Sequence, residues 1–120
     1  MTLPEEGYLL RVFVGESDRH SNIPLYEWIV TEARQQGLAG ATAIRGMMGF
    51  GANSRVIHTF KIERLSEDLP IIVEIVDTCE KLEKFLAYID DKIHARLVTL
   101  EKVQVRIYRS GKPVNPKNAG

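Results

Sequence analysis

The chain has a single cysteine, a single tryptophan and no surplus of either charge, with sixteen Lys and Arg against sixteen Asp and Glu. A lone cysteine cannot close an internal disulfide, so Cys79 gives no sign of an oxidising compartment. Balanced charge argues against a broad nucleic-acid or membrane surface, which needs a basic excess to gain from counterion release. No run approaches the roughly 20 apolar residues of a membrane-spanning helix. The acidic start "MTLPEEGYLLRVFVG" does not read as a signal peptide. His20, His58 and His94 stand at no ligand spacing from one another or from Cys79, which argues against structural zinc. Repeats, low-complexity segments and internal linkers are also missing. These absences leave a cytoplasmic globular protein, and 120 residues suit one domain over 1–120. Its core is expected over about 8–109, with a basic, flexible tail over 110–120. No resident cofactor, nucleic-acid partner or membrane insertion is expected.

What the sequence does contain is a regular succession of strand and helix patterns. "YLLRVFV" (8–14) is β-branched and aromatic and stops at Gly15, as a strand would. "NIPLYEWIVTEARQQG" (22–37) reads as a helix, with Pro24 suited to its first position and Leu25, Ile29 and Ala33 on one face. Gly37 is placed for a left-handed exit. "AGATAIRGMM" (39–48), "VIHTFKIE" (56–63) and "IIVEIVD" (71–77) read as strands. Asp77 and Glu80 form a D-x-x-E capping box before a second helix, whose stripe is Leu82, Phe85, Leu86, Ile89 and Ile93. "VTLEKVQVRIY" (98–108) closes the order as a strand. The order β-α-β-(β)-β-α-β predicts an α+β, ferredoxin-like split βαβ sandwich, an antiparallel sheet with two helices on one face.

In that topology the strands at 8–14 and 71–77 are central neighbours. Leu10, Val12, Val14, Ile71, Val73 and Ile75 then face the helices. The other face carries Leu9, Arg11 and Phe13 beside Ile72, Glu74 and Val76, where a monomer would be polar. Leaving Leu9, Phe13, Ile72 and Val76 wet forfeits about 6–12 kcal/mol, at roughly 1.5–3 each. A second copy is expected to cover them, with Arg11 and Glu74 paired across the strands.

The chemistry-bearing segment is "RGMMGFGANSR" (45–55). Its glycines, Gly46, Gly49 and Gly51, lack the Lys-Ser/Thr of a Walker loop and the following helix of a dinucleotide fingerprint. They allow positive φ and close approach to the main chain, while Arg45, Asn53, Ser54 and Arg55 supply donors to an anion. The plainer reading is a flexible strand connection with solvated arginines, although Met47, Met48 and Phe50 are unusually apolar for one. Glu16 and Asp18 follow the first strand, where Asp18 or Ser21 suits the turn and helix start. With His58 they make the alternative, a metal-handling set. No Ser, Cys or His falls into a catalytic constellation, so an enzyme is not expected.

"LRVFVGESDRH", "PLYEWIVTEARQQGLAGATAIRGMMGFGANSR", "LSEDLPIIVEIVD" and "LEKVQVRIYR" together resemble a bacterial and archaeal family known only as a domain of unknown function, related in fold to the PII nitrogen-regulatory proteins. The resemblance implies a PII-like homotrimer with its sheets toward the threefold axis. Residues 45–55 would then be the T-loop, its base forming an effector site between subunits for a small anion, with a nucleotide as one candidate. Some members are associated with a fluoride-exporting channel, which implies a regulator of transport. The second phosphate-gripping loop of PII proteins is missing, since "DDKIHARLVTLEKV" (90–103) contains no glycine. Copper-tolerance trimers share the fold and lend the metal alternative its precedent. Acylphosphatases share it too, but "GESDRHSNIP" has neither their glycine spacing nor their arginine.

Overall fold

The computed structural model describes residues 6–50, 69–93, 95 and 97–109. Strand β1 (Glu6–Gly15) leads through a small hairpin, β2 (Arg19–His20) and β3 (Ile23–Pro24), into helix α1 (Leu25–Gln35). Strands β4 (Ala41–Arg45) and β5 (Pro70–Asp77), helix α2 (Cys79–Asp90) and strand β6 (Leu97–Gln104) follow. The four long strands form one antiparallel sheet in the order β4-β5-β1-β6, with β1 and β5 central. Both helices lie on one face, and the α+β ferredoxin-like expectation holds.

Strand alternation decides what is buried. Leu10, Val12, Val73 and Ile75 are at 0% exposure beneath Ile29, Phe85 and Ile89 of the helices. The opposite face is half-buried, and register organises it. Ile44, Ile72, Phe13 and Leu97 stand opposite one another in a single apolar row, one from each strand. The next row holds Thr42, Glu74, Arg11 and Thr99. Arg11 donates from Nε to Glu74 at 2.8 Å, the expected pair, and from Nη1 to Glu101 at 2.7 Å. The hydrogen bond to Glu74 holds the guanidinium pKa above its ordinary value.

Several element ends differ from their sequence signals. Pro24 is the N-cap of α1 rather than its first turn, because its extended backbone (ψ 135°) pairs in the hairpin with Arg19. The chain does leave α1 through Gly37, φ +77°, with Gly37 N–H donating to Arg34 C=O and Leu38 N–H to Ala33 C=O, a Schellman motif. The cap of α2 is Thr78, whose hydroxyl accepts from Lys81 N–H at 3.2 Å. Asp77 is instead 1% exposed and accepts from Ala39 N–H (2.9 Å) and Thr78 N–H (2.7 Å). It anchors the α1–β4 connection, which a capping side chain facing solvent could not do. The last strand stops at Gln104, and 105–109 turn away as a strap. The strand expected at 56–63 and the tail at 110–120 lie outside the described residues.

On the helix layer, Trp28 stacks on Tyr88 at a centroid spacing of 6.4 Å and meets His20 at a tilt of 37°, 4.2 Å away, while Lys92 Nζ lies 4.2 Å over the Tyr88 ring. Tyr88 Oη donates to Glu32 at 2.7 Å. That bond first, then burial and the charges of Glu32 and Asp91, raise the phenol pKa above its ordinary value.

Candidate functional site

Of the glycine segment, Arg45, Gly46 and Gly49 are described, whereas Gly51, Asn53, Ser54, Arg55 and His58 lie outside the described residues. Arg45 ends β4 with its guanidinium bound to the Glu16 carboxylate, so the cation expected to meet an anion meets an acid from the neighbouring turn. Gly46 N–H donates to Pro70 C=O at 2.7 Å, and a Cβ there would come within 2.8 Å of Pro70 Cγ. Its lack of a side chain is therefore a packing requirement. Neither Gly46 nor Gly49 takes a positive φ, so this part of the segment does not form an αR–αL anion nest. Met47, Met48 and Phe50 follow at 90%, 58% and 68% exposure, uncovered in the protomer.

Asp18 serves the turn, as its position suggested. Its carboxylate accepts from Gly15 N–H at 2.8 Å, and its carbonyl accepts from Leu25 N–H at 2.7 Å, setting the start of α1. Glu16 and Asp18 are thus both engaged with protein partners, and no group of three or more potential metal ligands occurs among the described residues.

A wider concavity opens elsewhere among the described residues, at the opposite end of the open sheet face. The strap crosses from β6 over the end of β1 to the start of β4. Val105 packs so closely on Gly7 that a Cβ there would meet its Cγ2 at 2.9 Å. Tyr108 Oη then donates to Ala39 C=O at 2.7 Å. Ala39 is held on both sides, since its N–H is bound by Asp77. Between strap and sheet lies a groove of about 660 Å³, within the size range of small-molecule sites. Its floor is Leu9, Glu74 and Val76; its walls are the Ala39–Thr42 backbone and residues 103–108, which include Arg106 and Tyr108. An apolar floor with an acid, a guanidinium, a phenol and exposed main chain suits a small, partly flat, polar ligand.

Sequence reasoning missed this groove and set the site at the glycine segment. The signals were present: small residues at "AGAT" (39–42) let a ligand approach the main chain, and Arg106 lies in the basic end of the chain. Nothing in local pattern shows that these segments meet, because Tyr108 and Ala39 are 69 residues apart.

The chain is 39% identical over 97 residues to a UPF0166 protein of Aquifex aeolicus (strain VF5), covering 81% of this chain and 90% of that one. It is 33% identical over 78 residues to a UPF0166 protein of Methanocaldococcus jannaschii, covering 65% and 70%. Among solved structures it shares its fold with CPII from Thiomonas intermedia K12, determined with ADP and bicarbonate, at a TM-score of 0.57 and 14% identity, covering 83% of this chain and 88% of CPII. A Thermus thermophilus protein described as PII-like superposes at a TM-score of 0.56 and 19% identity, covering 83% and 89%. The expected resemblance is borne out at the level of family and fold. With residues 7–105 matching it, the chain belongs to the DUF190 family (Uncharacterized ACR, COG1993) and has a PII-like fold.

Proposed function

We propose that this protein is a cytoplasmic, non-enzymatic ligand sensor of the PII-like class, which assembles as a homotrimer through its open sheet face. Its ligand is a small anion, a nucleotide by preference, held in the strap groove at the margin of the subunit interface. The glycine segment, with Gly49, Gly51, Asn53, Ser54 and Arg55, responds to the ligand. Binding changes what the trimer presents to a partner at this segment. The partner is a transporter or channel, following the family resemblance.

The observation that carries this reading is the groove itself, with an apolar floor and Arg106 at its wall, on a face whose apolar row calls for a second copy. The fold relative bound to ADP and bicarbonate supports the choice of ligand class. The described residues contain no helix long and apolar enough to cross a membrane.

The test is thermal stability against ADP, AMP, ATP, bicarbonate and divalent metals. A ligand at a hundred times its dissociation constant adds about 2.7 kcal/mol, which should raise the melting temperature by roughly 10 °C for a domain of this size. The expected result is a nucleotide shift that Arg106→Ala abolishes and Arg55→Ala reduces. A shift with metal alone, lost in Glu16→Gln or His58→Ala, would overturn the sensor reading in favour of metal handling.

A further inference from the structure

The groove under the strap is charged at two separate places, and they differ in sign. Arg106, on the wall, makes no ion pair among the described residues. Glu74 lies on the floor, where Arg11 engages only one of its carboxylate oxygens, Nε donating to Oε2 at 2.8 Å. The guanidinium makes its other bond away from Glu74, from Nη1 to Glu101. Glu74 Oε1 makes no hydrogen bond among the described residues, although the side chain is only 30% exposed.

The neighbouring polar groups cannot stand in for it. Ala39, on the wall, has both main-chain groups engaged, its N–H by Asp77 and its C=O by Tyr108. The Tyr108 proton is committed in the same bond. Thr42, which stands opposite Glu74 in register, and Gln104 each carry a donor as well as an acceptor. An ionised carboxylate accepts and cannot donate. Among the described lining side chains, Glu74 alone has that property.

Register sets this acceptor against the apolar floor. Leu9 and Val76 are directly opposed on β1 and β5, and Glu74 lies two residues before Val76 on the same face, about 7 Å along the strand. A flat ring resting on Leu9 and Val76 therefore turns one edge toward Glu74. A carbonyl on that edge would set its lone pairs against a carboxylate, whereas an N–H would be bonded by it. The same negative charge drives an anionic group off the floor and toward Arg106, which fixes the direction of the ligand.

We infer that Glu74 determines the specificity of the groove, selecting a ligand whose flat part carries an N–H donor at its edge, such as the exocyclic amine of an aminopurine. Arg11 holds Oε2 and leaves Oε1 to the ligand. This deepens, and rests on, the reading of the groove as a nucleotide site.

Calorimetric titration of the full chain with ADP and with purine riboside diphosphate, which lacks only the amine, tests it. A hydrogen bond to a charged group is worth a factor of roughly ten to a hundred, and the wild type should prefer ADP by that factor. Glu74→Leu, its fold checked by circular dichroism, should bind the two alike, because nothing on the floor then reads the ring edge. Arg11 keeps its bond to Glu101 in that variant. Glu74→Gln retains the size without the charge and should discriminate less than the wild type, which carries the test if Glu74→Leu does not fold. A wild type that binds both ligands equally, or Glu74 variants that discriminate as it does, would overturn the role of Glu74; loss of ADP binding in Arg106→Ala would still leave the groove standing. ADP binding that Arg106→Ala does not disturb, or no ADP binding at all, would overturn the groove and Glu74 together.

Discussion

Ile71 and Ile72 are adjacent and chemically identical, yet one is 3% exposed under the helices and the other half-buried on the open face. The helix face is finished within the protomer: aliphatic and aromatic side chains meet, and the buried Asp77 carboxylate at the end of β5 accepts from the Ala39 and Thr78 amides. The open face is unfinished, with an apolar row beside an Arg11–Glu74–Glu101 ion cluster. The difference teaches that the helix face determines whether the chain folds, while the open face is left for the assembly proposed above.

Substitutions at these positions can break that comparison. Ile71→Ala should cost about 2–5 kcal/mol, the usual range for truncation in a packed core, at any protein concentration in urea unfolding. Asp77→Ala comes next, at about 1–3 kcal/mol, the cost of leaving buried donors unsatisfied; rapid hydrogen exchange at the Ala39 amide would show the cause. Ile72→Ala should cost about 1 kcal/mol in dilute protomer, since only part of its transfer energy is realised there. Its cost should grow with protein concentration, and a concentration-independent loss equal to that of Ile71→Ala would erase the distinction between faces.

The smallest effect is a pH dependence on the helix layer. The Tyr88 pKa is raised by its bond to Glu32, so the folded state keeps the proton longer than the unfolded state. The resulting stability is present below the unfolded value near 10 and is lost as pH rises through the folded one. Melting curves between pH 8 and 11 should fall more steeply for the wild type than for Tyr88→Phe.

The sequence made the fold legible because the central strands alternate strictly and the helices carry one stripe each. The two-faced sheet and the Arg11–Glu74 pair followed from period and topology alone. Thr78 was passed over as the α2 cap because Asp77, one residue earlier, has Glu80 three positions on, whereas burial takes the Asp77 side chain inward. The groove was illegible for another reason. It depends on 105–109 leaving the sheet and on Tyr108 reaching Ala39, a long-range contact that no local spacing encodes. Gly46 carries a related lesson: its missing side chain makes room for Pro70, which a motif search cannot distinguish from making room for a ligand.

The stacked rings on the helix layer give the molecule its own optical probe. Trp28 is the sole tryptophan, clasped between His20 and Tyr88 and remote from the sheet's open side. Its emission should track the melting of hairpin and helices while staying blind to self-association, so that folding and assembly can be watched as separate events in one cuvette.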